Sequence, residues 1–280
     1  MKPAAFDLLR PRGLAEALEA LAEHKGDAKI IAGGQSLVPL LNLRMTMPAI
    51  LIDVARLEET ASIRDAGEAL AIGATVRQCT LLRDPMVARF APLLAAAVPN
   101  IGHVQTRARG TIGGSLVHAD PAAEIPTVIA ALDGLLVIRS LRGERIIPAS
   151  DFFLSALTSA LDEDELLYEI RIPKATDSAR VAFREIARRH GDFAIASAAV
   201  QATHAADGIA VAAALGGVAE TPHRCRPIRF SASPSRDEAE SVAAEELSAL
   251  SPSHDIHASG SYRARLARGL LADCILEACG

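Results

Sequence analysis

The chain has 280 residues, half of them hydrophobic, and a formal net charge of −5. That length buries roughly one to three cores, and the composition is that of a globular chain, not a disordered one. The acidic balance, with no Trp, two Tyr and seven Phe, argues against nucleic acid or an anionic membrane surface as partner. No apolar run is long enough for a membrane span. The first residues lack the apolar segment of a secretory signal, so a cytoplasmic protein is expected. The four cysteines, Cys79, Cys225, Cys274 and Cys279, make no Cys-x-x-Cys pair, no cluster with His and no iron–sulfur run. They are expected to be free thiols, and no metal site is assigned.

In chain order, residues 13–24 place Leu14, Ala17, Leu18 and Leu21 at helical spacing, which predicts an amphipathic helix. A buried strand at 29–32 runs into Ala32-Gly33-Gly34-Gln35-Ser36. Residues 37–43 form a short helical turn, and Pro48 disfavours helix at Met47. Met45 and Met47 are readable as lining an apolar pocket, but are expected instead to fill gaps in the core. A strand at 50–54 closes a first lobe, 1–54. The second lobe, 55–175, opens with strands at Ile63 and 70–73. Helices are predicted at 75–82, with Thr75 as N-cap, and at 92–98. Residues 101–110 read as a polar loop carrying His103, Arg107 and Arg109. An apolar helix follows at 122–132. Strands at 135–139 and 145–147 pair around Gly143, and a further strand runs over 166–172. A composition shift at 173–179 marks a linker. Beyond it lie strands at 181–188, 195–204 and 209–216, the last two joined through Asp207-Gly208, a hairpin signal. Helices at 237–250 and 261–278 complete a C-terminal domain, 176–280. The fold class is α+β.

The chemistry concentrates in 108–126. This stretch holds three glycines (Gly110, Gly113, Gly114), two hydroxyls (Thr111, Ser115) and two carboxylates (Asp120, Glu124) ahead of an apolar helix. Glycine permits positive φ and close approach of backbone N–H groups to a ligand. Successive N–H groups before a helix suit an anion. The same chemistry recurs at 32–36, so two walls around one diphosphate are expected; each segment is also readable as a plain turn. Neither carries the Gly-Lys-Ser/Thr of a P-loop or the Gly-x-Gly-x-x-Gly of a Rossmann turn. Arg107 and Arg109 read equally as solvated or as compensating phosphate. Asp120 and Glu124 suit ligand hydroxyls or the dipole at a helix N-terminus. No nucleophile with an aligned base is visible, and no catalytic residue is assigned.

Residues 32–48 (AGGQSLVPLLNLRMTMP), 101–126 (IGHVQTRARGTIGGSLVHADPAAEIP), 185–194 (EIARRHGDFA), 216–222 and 255–266 together resemble the FAD-binding medium subunit of molybdenum hydroxylases. That family includes the flavin portions of xanthine dehydrogenase and aerobic carbon monoxide dehydrogenase. The resemblance implies a two-lobed FAD-binding domain over 1–175, like that of vanillyl-alcohol oxidase, followed by a small α+β domain with an antiparallel sheet. It implies that Ala32, Gly33, Gly34, Gln35 and Ser36, with Leu37 beside them, and Thr111, Ile112, Gly113, Gly114 and Ser115 hold the FAD diphosphate. Gln35 stands where relatives often have His or Asn. Ile101 and Gly102 would pack the flavin region, Asp120 and Glu124 would meet ligand hydroxyls, and Leu167 would touch a ring system. Arg184 stands where relatives often place Lys near the flavin, a change that keeps the charge but not the geometry.

The resemblance also implies partners. These are a large molybdopterin subunit and a small iron–sulfur subunit with two [2Fe–2S] clusters, arranged as a dimer of heterotrimers. FAD would collect electrons for NAD, a quinone or oxygen. The missing cysteine cluster agrees with that division and separates the chain from the benzoyl-CoA-reductase branch. Two other readings remain open: a self-contained flavin oxidoreductase similar to UDP-N-acetylenolpyruvoylglucosamine reductase, and a binding module for a phosphorylated metabolite.

Overall fold

A computed structural model describes residues 2–280. Its first sheet is small and parallel, with Ile50–Asp53 between Asp7–Leu9 and Ala28–Ile31. Parallel neighbours need a crossover. The helix Leu14–Glu23 separates Asp7–Leu9 from Ala28–Ile31, and the helix Leu37–Asn42 separates Ala28–Ile31 from Ile50–Asp53. Leu14–Glu23 buries Ala17, Leu18, Ala20 and Leu21, the stripe that the spacing predicts. They pack with Ile52, Val54, Leu57 and Leu166.

The second sheet is antiparallel. Its order is Ile63–Ala66, Ala69–Gly73, Leu166–Pro173, Leu135–Ser140 and Gly143–Pro148. The central strand is the last to appear in the sequence, so the sheet is complete only when the chain returns from the glycine-rich region. The helix Glu124–Ala131, buried along its whole length, belongs to the large core of this lobe with Leu93, Leu94, Ile112, Leu116 and Phe152.

The third sheet pairs Ala179–Ile186, Ala196–Ala205 and Gly208–Gly216 in antiparallel order. The short strands His223–Arg224 and Ile228–Phe230 both pair with Gly208–Gly216. Side chains alternate between faces of a strand. Ala198, Val200 and Ala202 therefore pack with Ala267, Leu271 and Ile275 of the helix Gly260–Cys279. Ala199 and Ala214 belong to the core that holds Glu124–Ala131. Small residues on both faces let helices approach from both sides, and this sheet joins the C-terminal region to the core of the second sheet. Among the described residues no helix is long and apolar enough to cross a membrane.

Several expectations are corrected. Thr75 caps no helix; the helix there is Gln78–Leu81, with Arg77 at its N-cap. The buried Thr75 hydroxyl instead donates to the Thr60 carbonyl at 2.9 Å. Residues expected as polar loop contain the helix Val104–Arg109, which buries no residue and so shows no apolar periodicity. The helix Pro85–Phe90 was also unforeseen; Asp84 caps it through the Met86 and Val87 amides. Met45 and Met47 are 71% and 65% exposed. They fill no core.

Candidate functional site

Strand Ala28–Ile31 runs into the Gly33-Gly34 turn ahead of the helix Leu37–Asn42. Gly34 has φ +72°, a conformation that L side chains rarely adopt. Gly33 is required for a different reason. A Cβ there would lie 2.4 Å from the Arg109 carbonyl oxygen and 2.8 Å from Gly110 Cα. The two glycine segments are therefore in contact. Among the described residues the amides of Gly33, Gly34, Gln35 and Ser36 reach no acceptor. Four free N–H groups in succession are a donor set for an anion. The Gln35 side-chain amide braces the turn by donating to the Gly33 carbonyl at 3.1 Å.

The second glycine segment is not a loop. It is the helix Ile112–His118, with Thr111 as N-cap accepting from the Gly114 amide at 3.0 Å. Three of the other amides expected to face phosphate are also engaged, Ile112 with Val76, Gly113 with Ala74 and Ser115 with Thr111, and only the Thr111 amide reaches no acceptor among the described residues. Gly113 has no positive φ. It is glycine because a Cβ would lie 2.6 Å from both the Cβ and the carbonyl oxygen of Ala74. Gly113 lets a helix press against backbone, and the run of free amides belongs to the first turn.

The two segments wall one cavity of about 420 Å³, a size typical of small-molecule sites. Of the residues that the resemblance assigns to FAD, Ala32, Gly33, Gly34, Gln35, Ser36, Leu37, Ile101, Thr111, Gly113, Gly114, Ser115, Asp120, Glu124 and Leu167 line it. Three do not. Ile112 is wholly buried in the core. Gly102 turns the chain at φ +45° against Thr106. Arg107 holds that turn, its Nη1 donating to the carbonyls of Ile101 and Gly102 at 2.7 and 3.0 Å. Arg184 is the third: it donates from Nη2 to Glu277 on the C-terminal helix at 2.7 Å. Strand alternation places its neighbour Glu185 on the opposite face.

Glu124 begins the helix Glu124–Ala131 and is 6% exposed. Burial pushes its carboxyl up to about 7; the Asp120 charge adds to this, while its own backbone amide and Arg107 oppose it. Asp120 accepts from the Ala122 amide at 2.9 Å, shaping the entry to the helix. Glu185 is pushed up to about 8, by burial first and then by the Glu124 charge, and its Oε2 has no partner. The cavity thus offers free amides on one wall, a buried acid on another, and apolar surface from Ile30, Val54, Leu161, Leu166 and Leu167. These features fit a long ligand carrying phosphate, hydroxyls and flat apolar rings.

Residues 4–175 match the FAD binding domain in molybdopterin dehydrogenase, and residues 181–278 match the CO dehydrogenase flavoprotein C-terminal domain. The chain belongs to this flavoprotein family. Among its flavoprotein relatives, caffeine dehydrogenase subunit beta of Pseudomonas sp. (strain CBB1) is 47% identical over 71% of this chain and 68% of its own. The 6-hydroxypseudooxynicotine dehydrogenase complex subunit alpha of Paenarthrobacter nicotinovorans is 39% identical over 99% and 96%. In a solved structure of carbon monoxide dehydrogenase from Hydrogenophaga pseudoflava, lacking the Mo-pyranopterin moiety of its cofactor, one chain superposes with a TM-score of 0.93. It is 31% identical, with both chains covered completely. The family's FAD binding is consistent with the free amides of the first turn.

Sequence reasoning missed several residues of this flavoprotein. Phe193, 62% exposed, reaches the cavity lining from the C-terminal region, and His118 and Gln78 line it too. Phe193 lies inside the matched segment 185–194, which was the available signal. Glu185 carries no signal of burial in one sequence. Outside the cavity, donor atoms of His223, Cys225 and Glu246 lie within 4.8 Å of one another, a grouping that spacing hides because Glu246 comes from a distant helix. Glu246 is satisfied there by His223 and Arg226.

Proposed function

We propose that this chain is the FAD-carrying electron-transfer subunit of a heterotrimeric molybdenum hydroxylase. It would receive electrons from the [2Fe–2S] clusters of a small partner and deliver them to NAD, a quinone or oxygen, while a large molybdopterin subunit oxidises the substrate. The observation that carries this reading is the run of four unengaged amides, Gly33 to Ser36, on the wall of a cavity that belongs to an FAD-binding family. These amides would hold the diphosphate. Glu124 would accept from ligand hydroxyls, with Asp120 fixing the approach of its helix. Ser115 and Thr111 would flank the phosphates, and Leu167 and Ile101 would cover apolar ring surface. Bound FAD supplies the exchange between one-electron and two-electron carriers; the protein positions it and excludes water. We assign the FAD-binding domain to 1–175, with lobes 1–54 and 55–175, and the second domain to 176–280. The assembly is a cytoplasmic dimer of heterotrimers.

The test is native purification through a tag on this chain, with FAD, iron and molybdenum assayed together. One larger and one smaller partner carrying all three cofactors is the expected result. A lone yellow chain, free of metal and active on an organic substrate, would contradict the proposal.

A further inference from the structure

A second cleft, about 700 Å³, shares residues 31–35 as a wall with the cavity. Four arginines line it: Arg10, Arg56, Arg77 and Arg109. Its only carboxylate, Asp53, lies 3.5 Å from Arg10 and also accepts from the Ala55 amide. Among the described residues Arg56, Arg77 and Arg109 form no ion pair, although Arg77 donates to the Arg109 carbonyl. Elsewhere arginines are in part matched, as where Arg142 and Arg145 share Glu165 and Arg226 meets Glu245 and Glu246; others, such as Arg180 and Arg229, stand without an ion pair among the described residues but do not line this cleft. Four arginines against one carboxylate leave this concavity positive in a chain of net charge −5, and a complementary anionic surface is favoured there.

The cleft is not built for a small anion alone. Leu8 and Val38 line it and are 46% and 42% exposed. Val38 is followed on the same segment by the exposed Leu43, Met45 and Met47. Unpaired Arg with exposed Met and aliphatic side chains is the composition of a protein–protein interface centre. We propose that this cleft and the Leu43–Met47 segment dock the iron–sulfur subunit through an acidic segment flanked by apolar side chains. The proposal rests on the FAD-subunit reading, and it places the partner against the turn that walls the flavin cavity.

The test co-expresses the full chain with both partner subunits and follows two signals: flavin absorbance on this chain and co-elution of the iron–sulfur subunit at rising salt. Arg56→Glu combined with Arg109→Glu should leave the flavin in place and weaken retention of the iron–sulfur subunit roughly tenfold or more. Wild-type retention should fall as salt rises. Arg56→Gln alone should give a smaller loss in the same direction. The charge-matched control, Arg180→Glu with Arg229→Glu on the C-terminal sheet, should change neither signal. Undiminished retention in the Arg56/Arg109 variant would overturn the proposal, as would equal loss in the control. So would inorganic phosphate alone stabilising the wild type but not the Arg56/Arg109 variant, which would mark a small-anion site. Absence of flavin from the wild type would sink the FAD reading instead, and the salt and charge comparison would still be readable.

Discussion

At the residue scale, two carboxyls dominate, one buried and one half-buried. Glu124 and Glu185 have folded pKa values raised to about 7 and about 8 from an ordinary 4.5. A carboxyl with a raised folded pKa stabilises the fold fully below its unfolded pKa and loses that contribution as pH climbs through the folded value. The ligand-free chain should therefore lose melting temperature between about pH 5 and about pH 8. Glu185→Gln, which fixes the neutral form, should flatten that slope; a wild-type slope in the variant would show that Glu185 titrates normally. FAD binding runs the other way. Hydroxyls donating to Glu124 favour its ionised form, so FAD affinity should rise by up to roughly tenfold between about pH 6 and about pH 8. Glu124→Gln should remove the dependence and weaken binding by about 1–3 kcal/mol. A pH-independent Kd in the wild type would return Glu124 to a purely structural role.

At the scale of elements, the helix Ile112–His118 explains why a glycine-rich segment is needed. Its first turn lies against Ala74, where a Cβ on Gly113 would clash with backbone. Gly113→Val should thus destabilise the whole fold by about 1–3 kcal/mol or more. Gly34→Ala should cost about 1 kcal/mol by strain at φ +72° and fall mainly on FAD affinity. Equal stability losses by thermal melting would show that both glycines serve packing. This distinction was invisible in the sequence, where both segments read as phosphate loops: glycine has low helix propensity, and the contact with Ala74 is long-range. Elements with strong local signals were legible. The hairpin around Gly143 and the stripe of Leu14–Glu23 came out as expected. The helix Val104–Arg109 did not, because it has no buried face. For the cavity, the first glycine turn and Glu124 were legible from residue type. Phe193 was not, and neither was Glu185 outside the lining, since their placement depends on how the third sheet meets the cavity lobe.

For the whole molecule, that junction decides whether the cavity is closed correctly. Gly216 lies where a Cβ would come 2.5 Å from the hydroxyls of both Ser197 and Thr127. Both are wholly buried, and Thr127 sits on the helix that begins with Glu124. Gly216→Ala should push this helix from the sheet, lower stability by about 1–3 kcal/mol and reduce FAD affinity although the residue lies outside the cavity lining. Unaltered FAD affinity in a destabilised variant would uncouple the two regions. The central claim, that the Gly33–Ser36 amides hold an FAD diphosphate, is tested most directly by titrating the flavin-stripped full chain with FAD and, separately, with riboflavin. Saturable binding of one FAD per chain, with riboflavin much weaker, is the predicted result. Equal affinity for riboflavin, or no binding of FAD, would contradict it.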